Sequence, residues 1–323
     1  MMLESCKVVC AIEDAALLDI GDGICCLEFR SKGNSITPTI KAFLLKLLDQ
    51  DLLDYDGLVI GSQRKHFSAG ADLRSMLDRI EGGRFDEFYE SVRYYQEMTL
   101  RVKYFSKPVV AAPYGMTLGG GLELALHSHR RAAAEKVHMG LVESGVGLLP
   151  GGGGSKEAAL RVSALPIQGQ DRELFEIYDQ LLLGKVSKSA EDALRMGYMK
   201  ADDEIVGEQG PLDRAKELCL SLAAAGTNSK AAVSAVLPGK PVYDKLVAHA
   251  EALLDAGEIP PYHLFIGKMI ALIFAGSAAN GPAQYSEEQI LDIERSCFVE
   301  LTKQPQTRER IDHFLRTGEK LQN

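Results

Sequence analysis

Two neighbouring segments decide the fold: K-P-V-V-A-A-P-Y-G-M-T-L-G-G-G-L-E-L-A-L at residues 107–126 and M-G-L-V-E-S-G-V-G-L-L-P-G-G-G-G-S at residues 139–155. Each segment places one glutamate, Glu123 or Glu143, close to a run of glycines. Two carboxylates beside tight, glycine-rich turns are the arrangement that acid/base chemistry requires. These two glutamates are therefore the first candidates for catalytic residues.

The first segment also predicts an anion-binding turn. Apolar residues 109–112 predict a strand, and the glycines at 119–121 predict a turn that opens a helix near Leu122. Because the first N–H groups of a helix have no partner within it, such a turn can face a developing negative charge. In the second segment, the small residues 151–154 after Pro150 predict close approach of the backbone to a ligand.

Other interpretations of the glycines are open on these residues alone. A run of three glycines is equally compatible with a tight turn that packs a helix against a strand. The segments lack the Gly-x-Gly-x-x-Gly pattern of dinucleotide sites, and P-G-G-G-G-S-K at 150–156 lacks the spacing of a phosphate-binding P-loop. Glu123 lies between Leu122 and Leu124, and a carboxylate in such apolar surroundings is paired, shifted in pKa or functional.

A third segment, H-F-S-A-G-A-D-L-R-S-M at residues 66–76, completes a pattern that resembles the crotonase family of enoyl-CoA hydratases and isomerases. The resemblance implies that the N–H groups of Ala71 and Gly120 bind the thioester oxygen of an acyl-CoA. It also implies that Glu123 and Glu143 are the acid/base residues, and that the Gly151 N–H helps to hold the catalytic water.

The resemblance extends over nearly the whole chain, and it is closest to the hydratase half that follows a 3-hydroxyacyl-CoA dehydrogenase in some bacterial fusion proteins. It implies an α/β fold with a crotonase-like ββα spiral core at residues 1–207 and a C-terminal helical region at 208–323. A homotrimer or a dimer of trimers is implied as well, with a 3-hydroxyacyl-CoA dehydrogenase as a further partner. The implied substrate- and CoA-binding residues are Ala69, Ala71, Asp72, Leu73, Arg74 and Gly120.

The implied reaction is reversible addition of water to a 2-enoyl-CoA, with coenzyme A as part of the substrate and no separate cofactor or metal. An isomerase of the same family is the first alternative, although it needs only one glutamate. A non-catalytic acyl-CoA-binding or scaffold subunit of a β-oxidation complex is the alternative of another class. The sequence departs from the family at His129, where many relatives have aspartate, and carries extra residues around 226–282.

Composition supports a cytoplasmic enzyme and excludes several other classes. The 323 residues carry a net charge of −9, which disfavours nucleic-acid binding. The six cysteines show neither paired spacing nor a histidine at metal-binding distance, so we expect free thiols and no metal. No segment approaches the ~20 apolar residues of a membrane span, and we expect no membrane association.

Periodicity predicts the remaining elements. A hairpin is expected around residues 21–23, and a helix at about 85–105 has apolar residues at helical spacing. Ser286 and Gln289 form a capping-box pattern at the start of a helix. The apolar face of this helix includes Ile290, Ile293, Cys297 and Leu301. A final helix is expected to stop at Gly318. His66, His127 and His138 are expected to have structural rather than catalytic roles.

Overall fold

The computed structural model describes residues 2–165, 171–208, 210–226 and 233–323. Its strands are β1 (Lys7–Ile12), β2 (Ala15–Asp19), β3 (Ile24–Phe29), β4 (Gly57–Gly61), β5 (Val109–Ala111), β6 (Met116–Leu118), β7 (Arg130–Ala134), β8 (His138–Gly140), β9 (Glu204–Val206), β10 (Ser234–Leu237) and β11 (Ala283–Ser286). Its helices are α1 (Pro38–Lys46), α2 (Leu73–Glu81), α3 (Asp86–Lys103), α4 (Gly120–His127), α5 (Gly154–Ser163), α6 (Asp171–Leu182), α7 (Ala190–Arg195), α8 (Pro211–Ala225), α9 (Lys240–Asp255), α10 (Pro261–Ala275), α11 (Glu287–Thr302) and α12 (Pro305–Thr317). Within the described ranges, no helix is both long and apolar enough to cross a bilayer.

The chain forms two compact units, each assembled from separate segments. The first unit comprises Met1–Asp72, Glu97–Gly140 and Val186–Lys230, and the second comprises Leu73–Gln96, Leu141–Lys185 and Ala231–Asn323. Both units therefore draw on the N-terminal and C-terminal halves of the sequence. The single boundary between residues 207 and 208 stays a prediction.

A seven-stranded sheet in the order β1-β2-β3-β4-β5-β7-β9 forms the framework of the first unit. The β1, β2 and β3 strands pair antiparallel, and β3 onward pair in parallel. Helix α8 covers one face of this sheet, where Leu212, Ala215 and Cys219 join a buried apolar cluster with strand residues such as Val59 and Val110. Strands β6 and β8 form a separate parallel pair in the same unit.

Helices dominate the second unit. Helix α10 packs on α5, α9 and α11, while α12 packs on α2 and on the turn that contains Glu143. The apolar face predicted for α11 is confirmed, since Ile290, Cys297 and Leu301 are buried. Its predicted capping box is confirmed as well, with Ser286 and Gln289 making both reciprocal hydrogen bonds.

The predicted α/β alternation is confirmed, and one local prediction is wrong. The hairpin around residues 21–23, the helix predicted at 85–105 and the stop at Gly318 are all present. The strand that leads into the glycine turn is not the one at residues 109–112, however. A further short strand, β6, lies between that segment and the turn, because Pro113 and Gly115 end β5 before the chain reaches the glycines.

Candidate active site

The predicted oxyanion turn and the glycine turn lie side by side in the first unit. The Ser68 N–H donates to the Met116 carbonyl at 3.1 Å, and the Leu118 N–H donates back to the Ser68 carbonyl at 3.0 Å. Gly70 has φ of +103°, and a Cβ atom on it would lie 3.2 Å from the Leu118 oxygen and 3.6 Å from the Gly120 nitrogen. Only glycine combines that backbone conformation with such a close approach, so Gly70 places the Ala71 turn directly against Gly120.

The loop at residues 31–36 holds this turn in place. The Ala69 N–H donates to the Gly33 carbonyl at 2.9 Å, and the Ile36 N–H donates to the Gly70 carbonyl at 2.8 Å. Ser68 is fully buried, and its hydroxyl donates to the Asn34 carbonyl at 2.8 Å while accepting from the Gly70 N–H at 3.1 Å. No hydrogen bond from the Ala71 N–H to another described residue is present. Hydrogen bonds thus fix the backbone just before Ala71, while the Ala71 N–H is available to a ligand.

Glu123 lies in the first turn of α4, which is buried along almost its whole length. Its exposed fraction is 2%, as expected for a carboxylate between leucines. The Glu123 N–H donates to the Gly119 carbonyl at 3.0 Å, so the helix starts at the glycine turn itself. Burial at a helix N-terminus is the setting in which a carboxylate serves as a base rather than as a solubilising charge.

Glu143 begins a short 3-10 turn, Glu143–Val146, in the second unit. Helix α12 holds both ends of this turn: Arg310 Nη1 donates to the Ser144 carbonyl at 3.0 Å, and the Thr307 hydroxyl donates to the Gly147 carbonyl at 2.7 Å. These two positioning contacts join residues that are 160 and 166 positions apart along the chain. Neither the sequence around Glu143 nor that of α12 contains a periodic pattern that predicts these contacts.

The carboxylate of Glu143 is in an unusual state. Its Oε2 atom is buried and has no hydrogen-bond partner among the described residues. Burial, reinforced by the negative charge of Glu294, raises the pKa of Glu143 to about 7. A carboxyl group with a pKa near 7 is partly protonated at neutral pH, so it can both donate a proton and take one back.

We expect the raised pKa of Glu143 to lower stability as pH rises. The native state binds this proton more tightly than the unfolded state, so stability is lost between the ordinary pKa of 4.5 and about 7. Glu143→Gln removes that cost, and its free energy of unfolding should exceed the wild-type value by about 2–3 kcal/mol at about pH 8 but match it at about pH 4. Urea unfolding at both pH values measures this, and an equal difference at the two pH values would contradict it.

Gly151 packs closely against helix α11. A Cβ atom on Gly151 would lie 2.5 Å from Cδ2 of Phe298, so the glycine is required by packing against α11. Its carbonyl accepts a hydrogen bond from Gln96 Nε2 at 3.1 Å. The role predicted for the Gly151 N–H in holding water stays a prediction.

The other predicted binding residues lie around the start of α2, which begins at Leu73. Ala69 and Arg74 are exposed, while Ala71, Asp72 and Leu73 are half-buried. These exposures suit contact with a ligand at the surface. Within the described ranges, no group of three or more His, Cys, Asp or Glu is arranged to hold a metal ion.

The histidines have structural partners. His127 Nδ1 lies 2.7 Å from the Glu123 carbonyl, and His138 Nδ1 lies 3.0 Å from the Ser187 carbonyl. His66 Nδ1 accepts from the Met116 N–H at 3.2 Å, and burial lowers the pKa of His66. His129, at the position where the family often has aspartate, accepts from the Val109 N–H at 3.0 Å and so ties α4 to β5.

We expect Arg310 to be essential for stability. It is fully buried and donates to Ser144, to His263 Nδ1 at 3.1 Å and to Asn323. Arg310→Ala leaves those acceptors without a donor and should lower the free energy of unfolding by about 2–3 kcal/mol. Arg316→Ala is the matched control, because Arg316 lies on the same helix with a 64% exposed side chain and should change stability by about 0.5 kcal/mol or less. Urea unfolding of both variants tests the difference, and equal losses would contradict it.

Comparison with known proteins agrees with this geometry. The sequence model of the enoyl-CoA hydratase/isomerase family matches residues 24–159, which include both glutamates and both turns. The part of the chain that carries the three motifs is thus similar to the enoyl-CoA hydratase/isomerase family. The resemblance to crotonases drawn from three motifs is thereby confirmed.

The chain spans less than half the length of two of the relatives that it matches. A probable 3-hydroxyacyl-CoA dehydrogenase of Bacillus subtilis is 38% identical over 99% of this chain, which spans 41% of that relative. A putative fatty acid oxidation complex trifunctional enzyme of Rickettsia felis is 27% identical over 96% of this chain, which spans 40% of that relative. The crystal structure of enoyl-CoA hydratase from Bacillus halodurans matches 93% of this chain and 99% of its own with a TM-score of 0.61 at 18% identity. That likeness confirms the predicted crotonase-like fold with its C-terminal helical region.

Four residues that hold the Glu143 turn and the glycines after Pro150 could not be identified from the motifs: Gln96, Glu294, Thr307 and Arg310. A signal existed for Glu294, because it lies four residues after Ile290 and three before Cys297 on the face predicted to be apolar. A charged residue on such a face is buried with partners or functional. No comparable sequence pattern indicates a role for Gln96.

Proposed function

We propose that this protein catalyses the reversible hydration of a 2-enoyl-CoA to a 3-hydroxyacyl-CoA. The observation that carries the proposal is the carboxyl group of Glu143: its Oε2 atom is buried without a hydrogen-bond partner among the described residues, and its raised pKa of about 7 suits a proton donor near neutral pH. Hydration needs such a donor in addition to a base, and the buried Glu123 supplies the base. No cofactor or metal is required, because addition of water across the double bond leaves the overall oxidation state unchanged.

In the proposed reaction, the N–H groups of Ala71 and Gly120 bind the thioester oxygen and stabilise the enolate that forms. Glu123 removes a proton from water as the oxygen adds to carbon 3, and the electron pair of the double bond moves toward the thioester. Glu143 then transfers its proton to carbon 2, which completes the C–H bond. Glu123 ends protonated and Glu143 ionised, and exchange with water restores both. Each oxyanion donor of this kind contributes roughly 10²–10³ in turnover.

Isomerisation of an enoyl-CoA is the second candidate, since one glutamate can shift a proton between carbons 2 and 4. The presence of both Glu123 and Glu143 favours hydration. The relatives named for dehydrogenase or fatty acid oxidation activity support a place beside a 3-hydroxyacyl-CoA dehydrogenase in fatty acid breakdown. We propose a cytoplasmic location on composition alone. We propose assembly as a trimer or a dimer of trimers on the family resemblance.

Absorbance of the conjugated thioester tests the function. Incubation of the protein with crotonyl-CoA should lower the absorbance as the double bond is hydrated. If the absorbance instead rises when the protein is incubated with a 3-enoyl-CoA and does not change with crotonyl-CoA, the protein is an isomerase. No change with either substrate would contradict both activities and leave the acyl-CoA-binding or scaffold alternative.

We expect Arg74 to contact the phosphates of CoA. Arg74→Ala should raise the KM for acyl-CoA roughly tenfold, since a charge-assisted contact contributes about 1.5 kcal/mol or more. It should also weaken the salt dependence of KM, while a short pantetheine thioester, which lacks those phosphates, should react at the wild-type rate.

Arg93→Ala is the matched control for Arg74→Ala. Arg93 lies in the same unit on α3, with a half-exposed side chain that pairs with Glu90 at 2.7 Å. It should leave both KM values unchanged. Equal losses for acyl-CoA and for the pantetheine thioester in Arg74→Ala would instead show that Arg74 supports the turn itself.

A further inference from the structure

His66 lies at the start of a short segment, residues 66–68, that runs parallel to β6. The Ser68 N–H donates to the Met116 carbonyl at 3.1 Å, and the Leu118 N–H donates to the Ser68 carbonyl at 3.0 Å. In a regular parallel ladder, the next bond would run from the Met116 N–H to the carbonyl of His66. The Met116 N–H donates instead to Nδ1 of the His66 ring, at 3.2 Å. The ring therefore replaces the backbone as the acceptor that holds this end of β6.

The backbone carbonyl of His66 is already occupied by two side chains. Nδ2 of Asn34 donates to this carbonyl at 2.9 Å, and the hydroxyl group of Tyr114 donates to it at 3.1 Å. Gly115 has φ of +53°, and a Cβ atom on it would lie 2.9 Å from His66 Nδ1. A side chain at position 115 would thus press on the ring, and glycine avoids this. These contacts give His66 two separate roles as an acceptor, with its carbonyl binding side chains and its ring binding β6.

The two predicted oxyanion donors, Ala71 and Gly120, are each oriented by a hydrogen bond to the carbonyl before them. The carbonyl before Ala71 accepts from the Ile36 N–H at 2.8 Å, and the carbonyl before Gly120 accepts from the Glu123 N–H at 3.0 Å. In a trans peptide, the N–H group points opposite to the carbonyl group. Each donor therefore points away from the group that holds its peptide, and each is aligned within its own segment.

The contacts between β6 and residues 66–68 set how far apart these two donors lie. β6 leads directly into the glycine turn with Gly120, and residues 66–68 lead directly into the turn with Ala71. The bonds that involve Ser68 have carbonyl acceptors, which do not titrate. The bond from Met116 has an imidazole acceptor, so acid can remove it.

The bond from Met116 requires the His66 ring to be neutral. A neutral imidazole has one donor and one acceptor nitrogen, whereas the imidazolium ion has two donors. Because Nδ1 accepts, the proton of the neutral ring is on Nε2, and a second proton would place two N–H groups against each other. Burial, aided by the charge of Lys65, lowers the pKa of His66 below its ordinary value of 6.5. The folded protein thus favours the form of the ring that can bind β6.

We propose that His66 is a positioning residue for the oxyanion donors: its neutral ring holds β6 against residues 66–68, and protonation of the ring releases this end of β6 and lowers turnover. The effect on turnover rests on the proposed hydration reaction. His66 touches no reacting atom in the proposal and acts through the positions of Ala71 and Gly120.

The groups that face the His66 ring keep their own charge state in the relevant pH range. Lys65, which precedes it, is exposed and stays positive, which favours the neutral ring. From the segment before β6, the hydroxyl of Tyr114 binds the His66 carbonyl, and burial raises the pKa of Tyr114 to about 12. From the loop at residues 31–36, the amide of Asn34 does not titrate, and Lys32 is exposed to solvent. Of these groups, His66 is the one that changes charge between about pH 5 and 8.

NMR of isotope-labelled protein tests the contact without relying on activity. With labelled histidine, the His66 ring should carry its proton on Nε2 at neutral pH and should titrate below pH 6.5. With labelled methionine, the Met116 amide resonance is identified by its absence in Met116→Leu, and it should shift with the same midpoint. In His66→Asn, Oδ1 can accept from the Met116 N–H but does not titrate, so the Met116 resonance should lose this transition.

Turnover of crotonyl-CoA separates a positioning role from a purely structural one. His66→Leu has no acceptor and should lower kcat roughly tenfold at about pH 8 with little change in KM, since a misplacement of about 1 Å can cost ~10²-fold. His66→Asn should match wild type at about pH 8 and exceed its kcat at least about twofold at about pH 5, because the remaining groups titrate alike in both proteins.

His138→Asn is the matched control. His138 pairs with Met116 from β8, on the other side of β6, and its Nδ1 lies 3.0 Å from the Ser187 carbonyl. A bond from Nδ1–H to a carbonyl survives protonation of the ring. This variant should therefore keep the wild-type titration of the Met116 resonance and the wild-type dependence of kcat on pH.

The outcomes separate this proposal from the proposed function. A Met116 resonance that does not follow His66, or a His66 ring with its proton on Nδ1, overturns the proposal whatever the activity. Equal losses of kcat in acid for wild type and His66→Asn overturn it as well. A protein whose Met116 resonance follows His66 but that does not hydrate crotonyl-CoA supports the link between the ring and β6 and refutes the proposed reaction. If His66→Leu fails to fold, the comparison of wild type with His66→Asn decides.

Discussion

Replacing either Glu123 or Glu143 with glutamine is expected to lower the turnover of crotonyl-CoA hydration by at least ~10²-fold, while binding of the CoA ester stays near its wild-type strength. Glutamine keeps the size of the side chain but can neither accept a proton from water nor deliver one to carbon 2. Turnover and CoA-ester affinity should be measured separately, because only the first depends on proton transfer.

Glu135→Gln is a control for these two variants. Glu135 is exposed at the end of β7, and only its backbone N–H takes part in the sheet, where it donates to the Val206 carbonyl at 2.9 Å. Its replacement should leave turnover unchanged. Hydration at the wild-type rate in Glu123→Gln or in Glu143→Gln would remove that glutamate from the reaction.

Removal of α11 and α12 by truncation before Ser286 is expected to abolish hydration and much of the stability of the second unit. The truncation deletes Glu294, Thr307 and Arg310, which hold α5 and the Glu143 turn. It also deletes a buried apolar face: Ile290, Leu291, Cys297, Phe298, Leu301 and Ile311. The partners of these residues would be exposed to water, at a cost of roughly 1.5–3 kcal/mol for each large side chain.

Activity, near-ultraviolet circular dichroism and sedimentation of the truncated chain measure these effects together. A full-length double variant, Glu300→Gln with Arg316→Ala, alters only exposed charges on the same two helices and should behave as wild type. Intact activity after truncation would show that the tail is dispensable. Sedimentation of the full-length chain also tests the proposed trimer, which a monomer would refute.

Local sequence patterns predicted the elements that are stabilised by interactions between neighbouring residues. The hairpin at residues 21–23 follows from turn residues between two apolar runs, and the start of α11 follows from Ser286 and Gln289 three residues apart. The burial of Glu123 follows from its leucine neighbours. In each case the deciding interactions join residues within one or two turns of each other, so a single stretch of sequence contains all the information.

Features that depend on contacts between distant segments could not be predicted from local sequence patterns. Strand β6 was missed because its three residues, Met116–Leu118, are too few to show alternation, and their partners lie in β8, about 20 residues later. The packing of Gly151 against the ring of Phe298 is a second example, because no residue near position 151 indicates that contact. A glycine required by a distant side chain looks the same in sequence as one required by a substrate.

By itself, the sequence determined the family, the α/β alternation and the two glutamates, because three motifs carry them within short, contiguous segments. Only the tertiary structure decided the state of those glutamates. The pKa of Glu143 depends on burial and on the charge of Glu294, about 150 residues away, and on helices that return to pack on its turn. Desolvation and charge interactions act through space, so the spacing of residues along the chain does not encode how strongly they shift the pKa of a carboxylate.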